Sequence, residues 1–180
     1  MLIKQLKRLI YAVISTEKAE KTLAYGRAIN KIFFDFIISK IVQALVIFIL
    51  GLIILVPFDI PLAPLISLLL AITNMIPYIG PWLGGIPSVL MATLFSPIKG
   101  LIVLLFIIGM QIIDNLFIGP KIMSDRVGIS PLLVIAGVAI GGTFGGVIGM
   151  FLGVPLVAVI KLVFYDNFIA GRLKKKNIDL

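Results

Sequence analysis

The chain has 180 residues, of which 61% are hydrophobic and only 13% charged, with a formal net charge of +8 and neither cysteine nor histidine. Soluble domains average about 45–50% apolar and about 25% charged residues, so the apolar excess here is more than one small core can bury, and the surplus must face lipid. Disulfides, thiolate chemistry, imidazole catalysis and the common zinc sites are excluded, and no cofactor is expected.

Residues 2–14 place Leu2, Ile3, Leu6, Leu9, Ile10, Val13 and Ile14 at three and four spacing, with Lys4, Lys7 and Arg8 opposite. This pattern predicts an amphipathic helix for anionic lipid or a partner protein. The stretch offers no small-residue cleavage site of the kind a signal peptide carries. Thr16 can cap a second helix whose first turn holds Glu17 and Glu20, the charge sign that suits a helix N-terminus. That helix runs into a first span over approximately 36–56. Asp35, Ser39, Lys40 and Gln43 are spaced to share one side, and Lys40 reads as an interfacial anchor whose ammonium snorkels to the cytoplasmic surface.

No charge occurs from Ile41 to Phe58, from Ile60 to Ile98, from Gly100 to Ile113 or from Gly128 to Ile160. Runs of this kind predict an all-α polytopic membrane protein of four to six transmembrane helices. A membrane β-barrel would need alternating polar and apolar residues, which are missing. The second run is too long for one span: 62–97 as a straight helix would measure about 54 Å against a hydrocarbon core of about 30 Å. The segment "NMIPYIGPWLGGIP" stands where a break is needed. Pro77, Pro81 and Pro87 lack donors, while Gly80, Gly84 and Gly85 permit tight turns. Breaking a helix at membrane depth exposes N–H and C=O groups costing several kcal/mol each, unless protein or a water-filled cavity satisfies them. The break therefore reads as the wall of a pathway; the competing reading is a tight turn with Tyr78 and Trp82 as interface anchors.

The following span ends in "QIIDNLFIGPKIMSDRVGISP". Gln111, Asp114 and Asn115 cluster there, and Asp114 is the one acidic residue tied to a hydrophobic span. A buried carboxylate suits a proton or cation relay. With Asn74, Pro77, Gly80 and Pro81 these residues form the candidate pathway; pairing of Asp114 with Lys121 or Arg126 at the interface is the plainer alternative. The last apolar run, 131–165, carries Gly137, Gly141, Gly145, Gly149 and Gly153 at strict four-residue spacing, a smooth face that lets another backbone approach. Pro155 ends or kinks that helix. "GPWLGGIPSVLMATL" (80–94) and "GMFLGVPLVAVIKL" (149–162) share Gly, any residue, aromatic, Leu, Gly, then a β-branched residue and Pro. Paired interruptions of this kind point to an internally repeated transporter.

Eight of the sixteen Lys and Arg fall within residues 1–40, and four more form the tail Arg172, Lys174, Lys175 and Lys176. The bias puts both ends in the cytoplasm and makes the number of crossings even. The organisation expected is cytoplasmic basic helices over 1–35, a transmembrane domain over 36–170 and a basic tail over 171–180. The basic residues flank spans and carry no nucleic-acid reading motif. Paired carboxylates, an activated nucleophile and a phosphate loop are missing, so no enzyme is expected.

At "NMIPYIGPWLGGIP", "IIDNLFIGPKIMSDRVGISPL" and "GGVIGMFLGVPLVAV" the chain resembles the autoinducer-2 exporter family, over approximately residues 17–170. The resemblance implies an oligomeric inner-membrane protein, with members linked to export of a small signalling molecule and others to exchange of sodium or lithium for protons. Members are about twice this length, so the chain resembles the C-terminal half, as a fragment, a truncated product or a short form. A Glu frequent in the family corresponds to Asp114, and a His frequent in its loop to Ser130. The reading of a different class is a membrane-embedded interaction or scaffold module, or half of a split transporter, whose glycines serve assembly alone.

Overall fold

The structure is a computed structural model that describes residues 16–114, 116 and 130–164. The amphipathic stretch expected over 2–14, Asn115, Lys121, Arg126 and the tail over 171–180 lie outside the described residues. Among the described residues there are helices and the short turns between them, and no strand. The fold is that of an all-α membrane protein.

Helix α1, Thr16–Leu55, continues for 40 residues. It contains no proline, so nothing removes a backbone donor along its length, and it measures about 60 Å. Pro57 and Pro61 then force a turn in which Asp59 and Leu62 adopt left-handed backbone (φ 50° and 60°). The turn is tied back by Asp59 N–H to the Val56 carbonyl (3.0 Å) and Ile60 N–H to the Leu55 carbonyl (3.3 Å). Helix α2, Ala63–Thr73, starts with Pro64 in its first turn, where a missing N–H costs nothing. Helix α3, Gly80–Phe95, follows the break and holds Pro87 in its interior. A single extended residue, Ser96, separates it from α4, Pro97–Ile113. The Lys99 ammonium donates to the Asp59 carbonyl at 2.6 Å. The α3–α4 corner and the α1–α2 turn therefore lie at one end of the molecule.

Helix α5 covers Pro131–Phe164, 34 residues with Pro155 inside it, yet Gly146 has φ 55° and ψ −139°. A straight helix would hold residues eight positions apart about 12 Å from each other. Here a Cβ added at Gly141 would overlap the Gly149 carbonyl, and one at Gly149 would overlap the Gly141 carbonyl. Gly137 and Gly153 stand in the same reciprocal relation. The stretch is thus a hairpin folded at Gly146, with arms 131–145 and 147–164 of about 22 Å and about 27 Å.

The four helices α1–α4 enclose a core of Ile47, Leu55, Ile66, Leu70, Val103 and Phe106. A second cluster joins α5 to α1 and to the break: Phe36 and Ile76 pack with Val134, Val138 and Val154, and the Phe36 and Phe151 rings lie 5.2 Å apart. Most helix faces point apolar side chains outward, among them Ile53, Leu90, Leu94, Leu132 and Phe144. Monomers that face water rarely expose apolar surface on this scale, and a patch of this kind marks contact with lipid or another protein. Where helices meet, small residues replace large ones. Gly51 sits against Ser67, and Gly100 against Thr93; the Ser67 and Thr93 hydroxyls donate to their own helices, at Ala63 O (2.8 Å) and Val89 O (2.7 Å). A hydroxyl satisfied within its helix leaves only van der Waals shape at the seam, which is the force that holds helices together where no hydrophobic drive exists.

Candidate functional site at the broken helices

Residues 74–79 form the break. Asn74 closes α2 with helical backbone, its N–H bonded to carbonyls of the last turn. Tyr78 takes the left-handed conformation at φ 65°. Gly80 then brings α3 against the end of α2: a Cβ there would overlap the Thr73 carbonyl, and one at Gly84 would overlap the Thr73 hydroxyl. Thr73 in turn donates to the Leu69 carbonyl at 2.8 Å. Tyr78 and Trp82 point outward.

The two motifs that look alike in sequence do the same job. Gly80 and Gly84 open the second arm of the α2–α3 hairpin and face the first; Gly149 and Gly153 open the second arm of α5 and face Gly141 and Gly137. The five regularly spaced glycines therefore do not line one face of a single helix. Four of them close the hairpin on itself, while a Cβ at Gly145 would meet nothing within 4 Å.

The break brings Asn74 into the bundle beside Lys40 and Gln43 of α1. Lys40, Gln43 and Asn74 are 3%, 4% and 6% exposed. The Lys40 ammonium donates to Gln43 Oε1 at 2.8 Å, and the Gln43 amide donates through Nε2 to Asp114 Oδ1. Asn74 Nδ2 reaches Asp114 Oδ2 at 3.4 Å. An ammonium, an amide and a carboxylate thus run in one line from α1 to the end of α4, with a second amide from the break. The order fixes the Gln43 amide: its carbonyl must face the cation and its NH2 the anion. Among the described residues no buried side-chain nitrogen or oxygen lacks a partner, as a polar group in an apolar bundle requires.

Beside this line lies a small cavity of about 20 Å³, walled by Ile47, Leu70, Phe106, Ile107 and Met110 and reached by Asn74, Pro81, Gln111 and Asp114. Roughly 10–15 Å³ holds one water molecule, so there is room for a single water or a small group beside the carboxylate. Of the residues expected to line a pathway, Asn74, Pro81, Gln111 and Asp114 meet here, Pro77 lies within the break, Gly80 sets the approach of α3, and Asn115 is outside the described residues. Lys40 is a correction: it is no snorkelling anchor, because its ammonium is enclosed by protein and bound to Gln43. The sequence carried a signal for the pair, a cation and an amide three residues apart and so on one helix face. It did not reveal that α4 and the break would cover that face.

Helices broken inside an apolar bundle, with a satisfied polar line and a water-sized space at the break, define a helical membrane protein whose interrupted backbone is sheltered by its own neighbours. Within that class the chain belongs to the AI-2E transporter family, which it matches over residues 2–168. Two Bacillus subtilis proteins provisionally named as transport proteins are similar to it. YueF is 34% identical over 65% of this chain and 32% of its own length; YrrI is 25% identical over 89% of this chain and 46% of its own. The AI-2 transport protein TqsA of Escherichia coli is 31% identical over 60% of this chain and 32% of its own length. The chain spans about half the length of the curated relatives it matches. No solved structure matches it.

Proposed function

We propose that the chain works as the core of a secondary transporter in the cell membrane, with Asp114 as its coupling carboxylate. The observation that carries this reading is the position of Asp114: one oxygen accepts from Gln43, the other from Asn74, and the residue borders a water-sized cavity at a helix break. Along α1, Gln43 lies twelve residues, about 18 Å, from the turn after Leu55, which sets it within a hydrocarbon core of about 30 Å. A carboxylate at that depth exchanges partners at high cost unless its cargo or a proton replaces them, and this is how movement of one becomes tied to movement of the other.

The topology that suits this reading has α1 and α4 as its full crossings. Helix α2, with 11 residues and about 16 Å, falls short of the core. The α2–α3 hairpin then dips to the polar line and returns to the end it left, α1 and α4 cross, and the α5 hairpin, whose first arm of about 22 Å also falls short of the core, enters from the opposite end and returns to it. With the N-terminus in the cytoplasm, the loop holding Lys121 and Arg126 and the basic C-terminal tail fall on the cytoplasmic side, in keeping with the positive-inside bias. The cargo is a small polar solute or a cation exchanged for protons, and further copies of the chain, or the half that the relatives carry in addition, complete the assembly.

Proteoliposomes holding the chain test this directly. One set is loaded with autoinducer-2 and followed for efflux; another contains a pH-sensitive dye and receives a sodium or lithium gradient. Asp114→Asn should abolish whichever flux the wild type shows while leaving its elution in detergent unchanged. Equal flux from the variant removes Asp114 from the mechanism, and absence of both fluxes from the wild type removes both cargoes.

A further inference from the structure

The transport reading leaves one group unused: a lysine enclosed in the membrane-embedded core, joined to the proposed coupling carboxylate through a single amide. We infer that Lys40 is a built-in counter-cation that keeps alkali cations off Asp114, so that the site accepts uncharged polar solutes and not sodium or lithium. This inference rests on the reading of Asp114 as part of the route.

The geometry supports it in three ways. Lys40 is 3% exposed and its ammonium bonds Gln43 Oε1 at 2.8 Å, so the cation is held in place by protein instead of wandering to water. Gln43 turns its NH2 to Asp114 Oδ1, which polarises the amide between a cation and an anion and fixes both. The pair is neutral as a whole, so a buried site that would otherwise demand a positive ligand is already balanced. What remains open beside Asp114 is the space shared with Asn74 and Gln111. Their amides, with the second carboxylate oxygen, offer both donors and acceptors. That set suits the hydroxyl and carbonyl groups of a neutral solute. A bare alkali ion would need several oxygen ligands together with negative charge that nothing else has neutralised.

Removing the tethered charge should therefore create a sodium site. In Lys40→Gln, Asp114 keeps its place but loses its counter-cation, and the side-chain oxygens of Asn74 and Gln111 stand ready as further ligands. The test uses the full chain in detergent, at constant ionic strength, with choline chloride replaced stepwise by sodium chloride while the thermal unfolding midpoint is followed. The wild type should show no dependence on sodium. Lys40→Gln should show a saturable rise in midpoint, with apparent sodium affinity at least about tenfold above wild type, and adding Asp114→Asn should erase it. Lys40→Met, which keeps the apolar stem, should behave as Lys40→Gln does.

A sodium-dependent rise in the wild type that Asp114→Asn abolishes overturns the inference, and so do folded Lys40→Gln and Lys40→Met proteins that ignore sodium. Should both variants fail to fold, equilibrium binding of radioactive sodium to the wild type decides: binding sensitive to Asp114→Asn refutes the counter-cation, and none sustains it. These outcomes are separate from the flux test, because unchanged flux in Asp114→Asn sinks the transport reading whatever sodium does to Lys40→Gln.

Discussion

Removing Lys40 and Asp114 singly and together should show that the two charges depend on one another. They stand one amide and two hydrogen bonds apart, roughly 7 Å. At an effective dielectric constant near 20 that separation corresponds to about 2.4 kcal/mol of attraction. Asp114→Asn forfeits this and also exchanges a charge-assisted bond from Gln43 for a neutral one, about a further 1 kcal/mol. The single change should therefore cost about 3 kcal/mol, at the lower end of what breaking a buried pair costs. Lys40→Met leaves the carboxylate uncompensated but removes the burden of an enclosed ammonium, so its cost should be smaller, about 1–2 kcal/mol. In the double variant neither charge is stranded, and the total should fall short of the sum by about 2 kcal/mol. Reversible unfolding in mixed micelles, read by circular dichroism against denaturing detergent, measures all four corners of the cycle. Additivity within about 0.5 kcal/mol would show that Gln43 does not join the two charges electrostatically.

The glycine seam of α5 gives a comparison within one hairpin. Gly141→Ala should destabilise by about 1–3 kcal/mol because its methyl would overlap the Gly149 carbonyl, whereas Gly145→Ala, with open space around it, should stabilise by up to about 1 kcal/mol through helix propensity; equal midpoints for the two would contradict the hairpin. Gly80→Ala should likewise cost about 1–3 kcal/mol, since its methyl meets the Thr73 carbonyl at the break, and a neutral result would mean that α3 does not approach α2 there. The chain contains no cysteine, so single cysteines at Phe58, Ser96 and Ser130 can be labelled cleanly in sealed vesicles: Phe58 and Ser96 should react from one side and Ser130 from the other, and opposite sides for Phe58 and Ser96 would refute the common end that Lys99 and Asp59 define.

Much of the molecule was legible in one dimension. Charge-free runs, prolines at 57, 61, 77 and 81, and the rule that a helix spanning lipid cannot be twice the bilayer's thickness located the long first helix, an interruption within 74–87 and the all-helical membrane class; the structure narrows that interruption to 74–79 and places Gly80, Pro81, Gly84, Gly85 and Pro87 inside α3. Those are consequences of local chemistry: a proline removes a donor wherever it stands, and an apolar run avoids water whatever its partners. The Gly80 and Gly149 motifs were also visible as a likeness, and each opens the second arm of a hairpin because the same spacing of glycines serves the same close approach. Periodicity alone could not tell one 34-residue helix from two arms. Gly141 and Gly149 read as one face until Gly146 adopts a left-handed turn, and that turn is held by the contact it makes possible. Nor could spacing decide the fate of Lys40. A lysine near a helix end goes to water if water is within reach, and only the packing of the break and α4 over that face of α1 withholds it. Burial belongs to the arrangement of neighbours, so the line from Lys40 through Gln43 to Asp114 came into view with the tertiary structure alone.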